Sequence, residues 1–298
     1  MTQITLLDGA IGQELVKRSG DRATPLWSTQ VMIDHPDLVR QVHDDYFAAG
    51  ATLATTNTYA VLRDRLARVG LSDDVARLTA TAVQAARAAR DAHGRGRVAG
   101  SIGPLIASYR PDLCPPAAEA AERYAETVAA LAPHVDLLLI ETMSSVDQAR
   151  GALMAATRAD LPVWLGVTVS DEDGTHLRSG EALGDLASVV AEFAPAAVLI
   201  NCSRPESVAA GLEIVRSFGR PFGAYANGFT RISAGFLTDA PTVDALEVRH
   251  DLTPAAYADF AMGWIAQGAT IVGGCCEVGP DHIAELARRI LEAGHEIV

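Results

Sequence analysis

The sequence predicts an α/β protein, a single (β/α)8 barrel of the TIM-barrel architecture occupying residues 1–298 as one domain. Three observations carry that expectation: eight short apolar runs, stretches of helical period between them, and polar or thiol residues where the runs end. In order the runs are QITLLDGA, ATLATTNT, RVAGSIGP, VDLLLIET, PVWLGVTV, AAVLINCS, PFGAYANG and ATIVGGCC. Helices are expected near 37–49, 73–92, 117–132, 145–159, 185–193, 205–218, 254–267 and 281–293. Ser72 with Asp73 and Asp74, Ser144 or Ser145 before Val146, and Thr253 before Pro254 supply start signals. An open doubly wound sheet would carry a glycine-rich phosphate turn after its first strand, and DGAIGQEL does not fit that pattern.

In such barrels the chemistry sits at the C-terminal ends of the strands. Here those ends carry Asp8, Asn57 with Tyr59, Ser101, Glu141, Ser170, Cys202, Asn227 and the pair Cys275 and Cys276. A vicinal Cys-Cys is by itself most often packing, because unpaired cysteine is among the most buried residue types. The third thiol changes that balance. The chain has only four cysteines, and three of them close apolar runs whose ends face one mouth. Cys202, Cys275 and Cys276 are therefore expected to hold a soft divalent ion, zinc, leaving a fourth position for a water or a substrate thiol. Cys114, in the loop-like RPDLCPP, has no strand end to project from and is expected to be structural.

Composition narrows the function further. With 49% hydrophobic and 20% charged residues the chain is an ordinary globular one, and its longest apolar stretches are strand-sized, so no membrane span is expected. The start MTQITLLDGA lacks a signal peptide's basic region and cleavage site, so a cytoplasmic location is expected, where a reducing environment keeps the cysteines free for metal rather than disulfides. A formal charge of −13 repels a phosphate backbone and excludes nucleic acid as a partner. Lys17 is the only lysine and lies away from a strand end, which leaves Schiff-base chemistry without a nucleophile.

Two carboxylates, Asp8 and Glu141, end the first and fourth runs. An isolated Asp-Gly more often caps a turn, but a carboxylate pair opposite a thiolate site suits a substrate ammonium, so an amino acid thiol is the expected ligand. Backbone N–H groups of Gly9 and Ala10 are candidate donors to its carboxylate. Trp27 in TPLWST and Tyr59 in TNTYA are pocket candidates whose faces would favour a cationic methyl donor, against ordinary loop packing. DEDGTH reads as a solvated turn around Asp173-Gly174 with Ser170 alone facing inward, and His282 as a helix-start residue.

Taken in order along the chain, LLDGAIGQEL, TNTYA, GSIGP, IET, NCS and GGCC followed by PDHI resemble the homocysteine S-methyltransferase family. The resemblance implies a zinc enzyme in which homocysteine takes a methyl group from an onium donor to give methionine. It implies Cys202, Cys275 and Cys276 as zinc ligands, Asp8 and Glu141 as substrate contacts and Tyr59 as a pocket residue, with Trp27 at an aromatic position of some members. The small-molecule partners are then homocysteine and a cationic methyl donor, S-methylmethionine or S-adenosylmethionine leading, with betaine, another thiol or a selenol as alternatives. Three departures stand out: Gln13 where threonine is usual, Glu277-Val278-Gly279 after the cysteine pair, and ANGFTRISAGF after the seventh run.

Two rival classes remain in view. A zinc hydrolase would use the open position for water, although such sites typically use histidine and carboxylate ligands. A non-catalytic zinc barrel would close the fourth position, with His282 the nearby candidate. The sequence leaves the donor's identity, the preference among thiols and selenols, donor stereoselectivity and the formation of a homo-oligomer open.

Overall fold

The structure, a computed structural model, describes residues 1–20, 24, 26–237 and 246–298. Pro25 of the TPLWST segment lies outside them. All eight expected runs are strands: β1 (Gln3–Leu6), β2 (Leu53–Thr55), β3 (Arg97–Ile102), β4 (Leu137–Met143), β5 (Val163–Val167), β6 (Ala197–Asn201), β7 (Phe222–Ala226) and β8 (Ile271–Gly274). They pair in parallel in sequence order, and β1 joins β8. A parallel bridge between Leu7 and Leu53, with the Asp8 amide donating to the Leu53 carbonyl at 3.1 Å, closes the seam between β1 and β2. The barrel is therefore closed as predicted.

Period-2 alternation along the strands separates two apolar layers. Leu7, Leu53, Ala99, Leu137, Leu139, Trp164, Leu199, Tyr225 and Ile271 fill the inside of the barrel. The alternate residues, such as Leu6, Val98, Ile140, Leu165 and Ile200, pack outward against the helices, where each fully buried aliphatic side chain contributes about 1.5–3 kcal/mol.

The outer ring comprises α1 (Ile11–Ser19), α2 (Ser28–Asp34), α3 (Pro36–Ala48), α4 (Arg63–Ala67), α5 (Val75–His93), α6 (Ala117–Leu131), α7 (Val146–Ala156), α8 (Ala187–Phe193), α9 (Pro205–Arg216), α10 (Pro254–Ala266) and α11 (Pro280–Glu292). Ser145 and Thr253 cap as expected, accepting from the Gln148 and Ala256 amides. Ser72 does not: residues Ser72–Asp74 form a 3-10 turn, and α5 starts after it without a side-chain cap. The stretch expected near 185–193 likewise divides into a 3-10 turn, Leu183–Leu186, and α8.

Helices α1, α2 and α4 and a ninth strand, β9 (Glu296–Ile297), which pairs with β1, add to the expected set. None begins with a side-chain cap, and β9 has only two residues, so the local chain carries no start signal for them. Among the described residues no helix is long and apolar enough to cross a membrane.

Candidate functional site

One pocket opens at the C-terminal ends of the strands, and Asp8, Gly9, Ala10, Trp27, Tyr59, Glu141, Cys202, Cys275 and Cys276 all line it. Cys202 follows β6 and is 5% exposed; Cys275 and Cys276 follow β8. Although β6 and β8 are not neighbours, their ends face the same mouth, and the three sulfurs lie within 4.8 Å of one another. The Sγ atoms of Cys275 and Cys276 are 4.0 Å apart.

Cys202 and Cys275 stand at disulfide distance from each other, with Cα atoms 5.8 Å apart. That spacing lies within the range a disulfide spans, so the convergence that would serve a metal also permits oxidation. Cys276 is left as a thiol whose burial pushes its pKa up to about 12, with the Glu277 carboxylate acting in the same direction. Cys114 is a half-buried free thiol outside the cluster.

Across the pocket stand the two carboxylates. Asp8, 3% exposed, accepts from the Thr55 amide at 2.5 Å and the Thr55 hydroxyl at 2.8 Å. Burial raises its pKa to about 8 against those hydrogen bonds, and the nearby Glu141 charge adds to the rise. Glu141 accepts from the Ser101 hydroxyl and, at 3.1 Å, from the Tyr225 hydroxyl; burial raises its pKa to about 7. Both are buried carboxyl groups whose charged forms lack a cationic partner, and a substrate ammonium would supply one.

The backbone makes room for this pair. At Glu141 and Thr142 the ladder between β4 and β5 shifts register, a bulge that turns the Glu141 carboxylate into the mouth. Thr142 takes φ 63°, a region β-branched residues rarely enter, and Asn201 holds it there. The Asn201 amide side chain accepts from the Thr142 N–H at 3.0 Å, donates to the Thr142 hydroxyl at 3.0 Å, and lies 3.5 Å from the Cys202 sulfur. Gly166 explains how Tyr225 reaches Glu141: a Cβ there would sit 2.8 Å from the Tyr225 hydroxyl.

Trp27 and Tyr59 meet edge to face with ring centroids 6.2 Å apart, and the Tyr59 hydroxyl pairs with Ser108 at 2.8 Å. Trp27 rests on Gly12, where a Cβ would approach the indole to 2.6 Å. Its buried Nε1 has no hydrogen-bond partner among the described residues. Tyr109, Phe229 and Phe236 extend the aromatic wall.

Two expectations change and a third holds. The Ala10 amide donates to the Val278 carbonyl at 2.9 Å and so is committed to the fold rather than to a ligand carboxylate. Ser170 does not face the pocket; its hydroxyl accepts from the Glu172 and Asp173 amides and shapes the solvated turn. Asp171 and Arg178 turn inward in its place as an ion pair at 2.8 Å, 8% and 11% exposed, and Arg178 lies 4.8 Å over the Tyr109 ring and donates to the Cys202 carbonyl at 3.3 Å. His282 bonds the Leu252 carbonyl and the Gly279 amide, as a helix-start residue should, and stands outside the thiol cluster.

Tyr225, Asn201 and Arg178 were not marked by the sequence as site residues. Inward alternation along β7, two positions before Asn227, could have singled out Tyr225; no local signal marks the other two.

Comparison with known proteins agrees with this geometry. The sequence model described as homocysteine S-methyltransferase matches residues 5–290. The homocysteine S-methyltransferase of Escherichia coli strain K12 is 33% identical over 96% of this chain and 95% of its own. The crystal structure of the homocysteine methyltransferase MmuM from Escherichia coli superposes in its metallated form with TM-score 0.80 at 29% identity, covering 96% of each chain. Its oxidized form superposes with TM-score 0.81 at 30% identity, again covering 96% of each.

Proposed function

The chain belongs to the homocysteine S-methyltransferase family and is a methyltransferase; from that premise we propose that it moves a methyl group from a sulfonium donor, S-methylmethionine or S-adenosylmethionine, to the thiol of homocysteine, giving methionine. The observation that carries the reading is the convergence of three cysteine sulfurs within 4.8 Å, in one pocket with two buried carboxylates.

The donor set suits a metal ion. Three sulfurs and no histidine or carboxylate in the cluster favour a soft divalent ion, zinc, with one coordination position left over, when Cys202 and Cys275 are both reduced. When bound, such an ion would lower the pKa of a coordinated substrate thiol, so that the thiolate is present at neutral pH. The same three thiolates would blunt the Lewis acidity a hydrolase needs, and the engagement of His282 elsewhere speaks against a closed storage site. The reading requires a reducing compartment, and the cytoplasm provides one.

The rest is supplied by the chain. Asp8 and Glu141 would hold the substrate ammonium, whose charge draws the proton from Asp8 on binding. Ser101, Thr55 and Tyr225 fix the two carboxylates beforehand, so little reorganisation is needed. The aromatic wall of Trp27, Tyr59 and Tyr109 offers π faces to a sulfonium. In-line transfer forms one carbon–sulfur bond as another breaks and joins an anionic sulfur to a cationic donor, so alignment is the main contribution asked of the protein.

The test is to incubate the reduced, zinc-loaded protein with homocysteine and each donor in turn and to follow methionine by mass. Methionine from S-methylmethionine or S-adenosylmethionine is expected. No methionine from either of them or from betaine, with one zinc per chain, would refute the reading.

A further inference from the structure

Two positions at which the sequence departs from the family pattern, Gln13 and Glu277, lie 264 residues apart and are bonded to each other. The Gln13 side-chain amide donates to the Glu277 carboxylate at 2.6 Å, and its oxygen accepts from the Glu277 backbone N–H at 2.9 Å. Lys17, one turn further along α1, pairs with the other carboxylate oxygen at 2.9 Å. Gln13 is 4% exposed and the Glu277 side chain 10%, so the Gln13–Glu277 bonds are largely shielded from water, whereas the Lys17 side chain is 52% exposed.

The second of these bonds bears on the thiol cluster directly. The N–H of Glu277 belongs to the peptide group that follows Cys276. The other end of that group, the Cys276 carbonyl, accepts from the Gly228 amide at 2.8 Å. Both poles of the Cys276–Glu277 peptide are thus pinned, one by α1 and one by the turn after β7. Glu277 itself takes φ 65°, a conformation a glutamate adopts only when its surroundings compel it. The Ala10 amide and the Tyr46 hydroxyl, at 2.9 and 3.1 Å, hold the carbonyl of the residue after Glu277, Val278.

We propose that Gln13, Lys17 and Glu277 are positioning residues that set the direction of Cys276 and thereby the metal affinity of the three-thiol site. The inference rests on the metal-binding reading above. A free Cys276 turn would have to be ordered each time the third sulfur engaged; the clamp orders it in advance. It also ties the substrate-amine side of the pocket to the metal side, because α1 begins two residues after the residue that follows Asp8. Lys17 adds charge balance: it offsets a carboxylate that would otherwise stand beside three thiolates.

The experiment measures zinc affinity by chelator competition on the reduced protein, with thermal unfolding of the metal-free form as the control. Glu277→Ala should weaken zinc binding by about tenfold or more, the scale of a lost hydrogen bond to a charged group, with little change in metal-free unfolding. Gln13→Glu sets two carboxylates face to face and should weaken it at least as much. The double variant Gln13→Glu, Glu277→Gln exchanges the two chemistries while Lys17 keeps a carboxylate four residues away, and it should restore affinity to within about threefold. Should the exchange bind zinc no better than Gln13→Glu alone, or should Glu277→Ala bind like the wild type, the clamp is overturned while the metal site stands. Wild-type protein that binds no zinc after reduction would overturn the metal reading, and the clamp with it.

Discussion

Replacing Asp8 by asparagine separates what the carboxylate does for the fold from what it does for a ligand. The substitution keeps the shape and both local hydrogen bonds: the asparagine oxygen accepts from the Thr55 amide, and its NH2 donates to the Thr55 hydroxyl. Only the charge is removed. Asp8 has its pKa raised from 3.8 to about 8, so between those pH values the folded protein keeps a proton that the unfolded chain has released. The unfolded state then binds fewer protons, and stability falls as pH rises through that window. At about 1.4 kcal/mol per pKa unit the burden reaches a few kcal/mol above pH 8. The Asn variant should therefore unfold at a higher temperature than the wild type at pH 9 and at nearly the same temperature at pH 4.

Binding should move the other way. Losing a charged hydrogen bond to the substrate ammonium costs about 1.5–3 kcal/mol, or about 10- to 150-fold in the dissociation constant of homocysteine, with zinc content unchanged. Calorimetric titration with homocysteine and thermal scans at the two pH values measure both. Equal homocysteine affinity in the variant would refute the ammonium contact. A stability difference that does not change between pH 4 and pH 9 would refute the buried-anion argument.

Alanine at Cys202, Cys275 or Cys276 should abolish stoichiometric zinc binding by the reduced protein, and retained metal in any of the three would contradict the three-ligand set. Tyr225→Phe removes the hydroxyl that Glu141 accepts from and should weaken homocysteine binding by about 1 kcal/mol without altering zinc content. Gly166→Ala forces its Cβ against the Tyr225 hydroxyl and the Ile140 carbonyl and should cost about 1–3 kcal/mol in urea unfolding. Transfer from S-methylmethionine should exceed transfer from methyltetrahydrofolate, and Trp27→Ala should raise the KM for the sulfonium by about 1 kcal/mol equivalent, which steady-state kinetics would show.

The barrel was legible because its signals are local. Eight runs of strand length, each closed by a polar residue, leave few other folds, and three of only four cysteines at run ends announce themselves by rarity. What escaped the sequence is what depends on distant partners. Asn201 earns its place through Thr142, 59 residues away, and Arg178 through Tyr109 and Cys202. Gln13 and Glu277 could each be seen as departures, yet their pairing across 264 positions has no local trace. The Ala10 amide looked available only because its partner, the Val278 carbonyl, is supplied by the far end of the chain.

Left-handed backbone at residues other than glycine gathers around the mouth: Trp27, Ile106, Tyr109 and Cys202 line the pocket, while Thr142 and Glu277 adjoin Glu141 and Cys276. Each such residue holds about 1–3 kcal/mol that the remainder of the barrel must offset. A screen that rewards heat tolerance alone would therefore find its easiest gains here, with glycine at Thr142 or Glu277 as early winners, and would erode the site while improving the scaffold. Engineering this barrel for durability is safest at the opposite rim, where Ala194, between α8 and β6, is the one such residue among those described.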